Sequence, residues 1–219
     1  MIYAGPAGGI GPEVNVAFLQ EVYNDLLHRG LDPSGQTAWG ALLNAGVPRT
    51  TVVYDIETNA SEEYQTDEVN QAYGLLLHRP ADPSGLQTGL HTVSTLGLQA
   101  EYAFIAGSPE YRLNRGGGTI NGWLNAVYQD ALNRAADPGG QSAFSQALAG
   151  GAKSFQQVAA LIFTSPEYYQ DLVAGYYTAF NATSHVGELD QAAWVSRLQS
   201  GQSPEQMVAG ILGAPELYA

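Results

Sequence analysis

Tyr128-Gln129-Asp130-Ala131-Leu132-Asn133-Arg134-Ala135-Ala136-Asp137-Pro138-Gly139-Gly140 is the stretch on which the fold turns. Leu124, Val127, Tyr128, Ala131 and Leu132 fall at helical spacing before Arg134. Asp137-Pro138 cannot extend that helix, because the residue before a proline is pushed out of the α region. Aspartate is a favoured N-cap and proline a favoured first helical residue. The stretch therefore predicts one helix ending near Arg134 and a second starting at Asp137.

The same text occurs twice upstream, at Tyr23…Arg29…Asp32-Pro33-Ser34-Gly35 and at Tyr73…Arg79…Asp82-Pro83-Ser84-Gly85. A second motif follows each copy: Ser61-Glu62-Glu63-Tyr64, Ser108-Pro109-Glu110-Tyr111 and Ser165-Pro166-Glu167-Tyr168. Two motifs recurring in order mark tandem repeats. A fourth copy is degenerate. It keeps Trp194 and Ala214-Pro215-Glu216-Leu217-Tyr218, but reads Ser184-His185-Val186-Gly187-Glu188-Leu189-Asp190 where the turn should be. An atypical terminal unit is expected of an array.

Phe18, Val22 and Leu26, with Leu19, Tyr23 and Leu27, predict the first helix of copy one. Trp39, Leu42 and Leu43 predict its second helix, ending near Gly46. Phe155, Val158, Ala159, Ile162 and Phe163 predict a third helix in copy three, as Met207, Val208, Ile211 and Leu212 do in copy four. Ser-Pro-Glu then supplies an N-cap, a first-turn proline and an acid facing the positive end of the helix dipole. The expected fold is all-α, in four repeats of three to four short helices. Residues 1–13 read as a Gly-rich linker, 14–115 as repeats one and two, and 116–219 as repeats three and four, with Arg115-Gly116-Gly117-Gly118 at the join.

The pattern Tyr…Leu-x-Arg-x-x-Asp-Pro-x-Gly…Trp…Gly…Ser-Pro-Glu-Tyr resembles a bacterial family named only as domain of unknown function 4214. More distantly, it is similar to the linker-polypeptide domain of phycobilisomes. The resemblance spans residues 14–219. It implies a helical module, often in tandem, at the end of large secreted or surface-attached bacterial proteins. It brings no catalytic residues.

The composition narrows the partners and says little about a reaction. Hydrophobic residues make up 45% of the 219, enough for a core, while charged residues reach only 13%, against roughly 25% in an average domain. The 21 acidic and 8 basic residues leave a net charge of −13, which disfavours nucleic acid and anionic lipid. The absence of cysteine excludes disulfides and zinc–thiolate sites. No apolar run suits a membrane span, and Met1-Ile2-Tyr3-Ala4-Gly5-Pro6 does not open like a signal peptide. No HExxH, GxSxG or phosphate-binding glycine loop is present.

The candidate residues are those that recur: Arg29, Asp32, Gly35 and Glu63; Arg79, Asp82, Gly85 and Glu110; Arg134, Asp137, Gly140 and Glu167. Each Arg is expected at a helix end, where a cation meets the negative pole, paired with an acid of its own or a neighbouring repeat. Asp32, Asp82 and Asp137 are also weighed as calcium ligands. Capping is favoured, since one carboxylate followed by Pro and Ser or Gly is far from the 6–8 oxygens calcium takes. His28 and His78 give way to Asn133, which argues against a metal or catalytic role. Tyr3, Tyr54, Tyr169 and Tyr176 lie out of phase with the repeat and are candidate platforms for a sugar. The expected function is a structural or interaction module. The Gly-rich start and the finish on a repeat signature are read as marks of the C-terminal piece of a larger extracellular or surface protein. Its expected partner is a protein or an envelope or matrix component, with no cofactor. Carbohydrate or calcium binding is the first alternative and an enzyme the second.

Overall fold

The computed structural model describes residues 12–58, 62–182 and 190–218. Among them are thirteen α-helices, one 3-10 turn and no strand. The order is α1 (Pro12–Leu27), α2 (Pro33–Asn44), α3 (Arg49–Thr58), α4 (Glu62–Leu77), α5 (Pro83–Leu96), α6 (Leu98–Gly107), α7 (Pro109–Asn114), α8 (Ile120–Leu132), α9 (Pro138–Ala149), α10 (Phe155–Phe163), α11 (Pro166–Ala179), α12 (Gln191–Gln199), α13 (Pro204–Leu212) and the turn Pro215–Tyr218. The protein is all-α. The Gly-rich start up to Gly11, Ser61, and the turn Thr183–Leu189 of the fourth copy lie outside the described residues. No described helix is long and apolar enough to cross a membrane.

The Asp-Pro turns stop and start helices through local hydrogen bonds. The Asp32 carboxylate accepts from the backbone N–H of Ser34 and Gly35, and Asp82 does the same with Ser84 and Gly85. Asp137 accepts from the N–H of Gly140. In each case an orphan donor of the first turn is satisfied. The preceding helices end on His28, His78 and Asn133, whose φ values are 52°, 56° and 49°. The left-handed region at a helix end is one that Asn and His enter more readily than bulky or β-branched residues. That explains the exchange of His for Asn between copies without any chemistry.

In copies one and three, the helix opened by the second motif (α4, α11) runs on into the next repeat. In copy two it stops as α7 after six residues, and Arg115–Gly118 turns the chain into α8. This turn is packed. A Cβ on Gly116 would lie 2.7 Å from the Trp123 Cα and 2.8 Å from the Arg112 carbonyl oxygen.

The chain forms two compact units, residues 1–64, 176–194 and 202–219 in one, and 65–175 and 195–201 in the other. Each is built by pairing the third helices of two repeats. In the first unit α3 of copy one packs on α13 of copy four; Val52 and Ile56 of α3 and Val208 and Ile211 of α13 are buried. In the second, α6 of copy two packs on α10 of copy three; Ala103 and Ile105 of α6 and Val158, Ile162 and Phe163 of α10 are buried. Burying each such side chain is worth about 1.5–3 kcal/mol.

Both pairings use a glycine at the same place in the repeat. A Cβ on Gly107 would lie 2.8 Å from the backbone of Gln156, and one on Gly213 2.6 Å from the Thr50 nitrogen. Copies one and three have Ala60 and Thr164 there.

Candidate functional site

The recurring residues converge on one small constellation, built three times. Arg134 donates from Nε to Glu167 Oε1 at 2.5 Å and from Nη2 to Oε2 at 2.6 Å. Its Nη1 donates to the Ala135 carbonyl at 3.0 Å and lies 3.7 Å from Asp137. The guanidinium carbon sits 5.1 Å above the Tyr128 ring. Arg79 repeats this with Glu110 at 2.8 and 2.7 Å, the Pro80 carbonyl at 3.0 Å and the Tyr73 ring at 5.1 Å. Arg29 repeats it with Glu63 at 2.8 and 2.9 Å and the Tyr23 ring at 4.9 Å, and adds Asp32 at 2.8 Å.

The geometry accounts for the Tyr, Arg, Asp, Gly and Glu of the motif. The tyrosine is a floor for the guanidinium, a cation–π contact. Its hydroxyl reaches the first turn of the second helix, where a Cβ at Gly35, Gly85 or Gly140 would collide with it. The glutamate presents both oxygens to the fork of the arginine, the bidentate arrangement that fixes direction as well as distance. The aspartate caps the next helix and faces the third guanidinium nitrogen. The constellation thus ties the end of one helix, the start of the next and a helix some thirty residues on.

The charges adjust accordingly. The hydrogen bond from each Arg holds the carboxyls of Glu63, Glu110 and Glu167 below their usual range. Asp32 is held down first by the Ser34 hydroxyl, Asp82 by the Gly85 N–H and Asp137 by the Gly140 N–H. A depressed acid stabilises the fold above its unfolded value of about 4 and loses that contribution as pH falls through the folded value. These side chains are between a third and just over half exposed, so solvent and salt screen the effect.

Among the described residues no group of three or more His, Asp or Glu is placed to hold a metal ion. The carboxylate oxygens of Asp32, Asp82 and Asp137 are engaged in capping and in facing the arginines. Of the candidate sugar platforms, Tyr169 is buried at 8% exposure and stacks edge-on against Tyr168, so it offers no open face. Tyr176 stacks on Phe180. Tyr3 lies outside the described residues. A groove of about 460 Å³ between α1 and α2 is lined by Asn15, Gln36, Thr37 and Asn44 with Pro33 and Gly40. It has no ionisable side chain, and the Asn15 amide at its floor donates to Asn44 at 3.0 Å.

Two polar features were not visible in the repeat pattern. The first joins Tyr111, Asp130 and Arg115. The Tyr111 hydroxyl donates to Asp130 at 2.7 Å and Arg115 donates to the other oxygen at 2.5 Å. Burial and the hydrogen bond to Asp130 push the Tyr111 hydroxyl well up. The residue at the Asp130 position is Asp25 in copy one and Leu75 in copy two, so no periodicity announced the triad.

The second is Glu101 of α6, 1% exposed, whose Oε2 has no hydrogen-bond partner. Burial pushes its carboxyl up, with the Thr92 hydroxyl pulling the other way. Gly89 stands where the other copies have Trp39, Phe144 and Trp194. A Cβ there would meet Val69 at 2.6 Å and Glu101 at 2.9 Å, so the carboxylate occupies space a ring fills elsewhere. A raised acid stabilises the fold below its unfolded value, about 4.3, and loses that contribution as pH rises through the folded value. Glu101→Gln is therefore expected to raise the melting temperature at pH 7 and leave it unchanged near pH 4, at about the unfolded value. Thermal melts at the two pH values check this; an equal shift at both would contradict it.

In comparison with known proteins, the sequence pattern of the family described as Domain of unknown function (DUF4214) matches residues 11–67 and 103–172. The matched segments contain the whole constellations of copies one and three. No curated protein and no solved structure matches the chain.

Proposed function

Given that the chain belongs to the Domain of unknown function (DUF4214) family, we propose that it is a non-catalytic helical module that mediates protein–protein contact or anchoring within a larger bacterial extracellular or surface protein. The observation that carries this reading is how the recurrent charged residues are used. Each Arg is saturated by a Glu, an Asp and a carbonyl, and each Asp caps a helix. Residues spent on one another hold a scaffold; a reacting centre needs acids or bases left free to move protons. The extracellular setting rests on the family resemblance, and the net charge of −13 keeps such a surface soluble.

Immobilised chain is expected to retain material from a bacterial envelope fraction and none from the matching cytosolic fraction. No retention, together with turnover of a glycoside or peptide substrate panel, would replace this reading with an enzymatic one. The amide-lined groove between α1 and α2 favours a second reading, an uncharged glycan ligand. Its test is a melting-temperature rise on adding chito-oligosaccharide, since a ligand at 100 times its Kd stabilises by about 2.7 kcal/mol.

A further inference from the structure

We propose that the groove around Arg112 binds an acidic peptide segment in which a carboxylate adjoins a bulky apolar side chain. The inference rests on the interaction reading above and names the kind of partner. Arg29, Arg79, Arg115 and Arg134 each meet a carboxylate. Arg112 does not: among the described residues no carboxylate lies within ion-pair distance, and its Nε is sealed from solvent without an acceptor.

The guanidinium is nevertheless held in place. Its carbon lies 4.5 Å above the Phe155 ring. Phe155 meets Trp123 edge-on at 4.8 Å, and the fully buried Trp123 indole donates to the Ala106 carbonyl at 2.7 Å. Such stacking preorganises the fork of an arginine for a carboxylate, because less freedom is lost on binding. Beside it lies a groove of about 250 Å³ lined by Pro109, Leu113, Gly118, Thr119 and Ile120 with Phe155. Arg112 is the one charged side chain in that lining. Leu113 at its edge is 67% exposed.

Charge decides the occupant. One guanidinium in a chain of net charge −13 cannot hold nucleic acid or an anionic membrane, whose many charges need many cations. A peptide segment can offer a single carboxylate to the fork while the remaining contacts stay apolar.

The test uses the whole chain, ¹⁵N-labelled, titrated with an end-blocked hexapeptide carrying one glutamate beside one leucine among serines and glycines, and with the same peptide carrying glutamine for glutamate. The glutamate peptide is expected to shift the resonances of Thr119, Ile120 and Phe155 and to bind at least tenfold tighter than the glutamine peptide. Arg112→Gln should weaken it at least tenfold, and Arg112→Lys should leave an intermediate affinity. Equal affinity for the two peptides overturns the proposal even if a variant fails to fold. So does a set of shifts elsewhere on the chain. A concentration-dependent dimer abolished by Arg112→Gln would make a second copy the occupant and overturn it as well. If the peptide fails while the chain still retains envelope material, this site falls and the interaction reading stands. Peptide binding without envelope retention gives the reverse.

Discussion

Trp123→Ala is expected to lower the stability of the chain to urea by about 3–5 kcal/mol, the range for truncating a fully buried aromatic. Three losses combine. The indole is completely buried, so its removal leaves a void that the helices around it fill only in part. The Ala106 carbonyl loses its 2.7 Å donor inside the protein. Phe155 loses its edge-to-face neighbour. Far-UV circular dichroism should follow the transition, because the variant removes a fluorophore. Leu113→Ala, at a site 67% exposed, is the matched control and should change stability by less than about 0.5 kcal/mol. Similar effects of the two variants would mean that α6, α8 and α10 do not share the core described here.

The second large effect is expected from Asp130→Ala, a loss of about 3 kcal/mol. The Asp130 side chain is 7% exposed and serves two donors, the Tyr111 hydroxyl and the Arg115 guanidinium. Deleting it leaves a buried hydroxyl and a partly buried cation without an acceptor. Removing one partner of a buried pair costs more than the pair itself contributes. Tyr111→Phe should cost less, about 1 kcal/mol, since Asp130 keeps Arg115 and the ring still fills its place. Urea denaturation of both variants checks the order; a larger loss for Tyr111→Phe would mean that the Tyr111 hydroxyl holds more than Asp130 in place.

The parts of this fold that were legible in the sequence are local. Asp137-Pro138 stops and starts helices with groups three residues apart, so text and structure carry the same information. The helical faces of Phe18, Val22 and Leu26 were readable for the same reason, and all three are buried. The repeat placed Arg134 and Glu167 on the page together, although they lie 33 residues apart. What the pattern could not show is which repeats meet. The pairing of α6 with α10 and of α3 with α13 depends on close backbone approach, and its signal is a glycine at Gly107 and Gly213 where the other copies carry Ala60 and Thr164. The Tyr111 triad and Glu101 were missed because each occurs once, and a reading built on recurrence passes over what does not recur. Tyr169, read as a surface platform, is buried beside Tyr168, the motif residue, whose ring it meets edge-on.

The recurrent Arg and Glu act on each other to hold helices together. A double-mutant cycle of Arg134→Ala and Glu167→Ala, by urea denaturation at low and high salt, tests it most directly. The account predicts a coupling of about 1 kcal/mol at low salt, at the upper end for exposed pairs because the contact is bidentate, and smaller at high salt. Losses that add to within about 0.3 kcal/mol at both salt concentrations would contradict it.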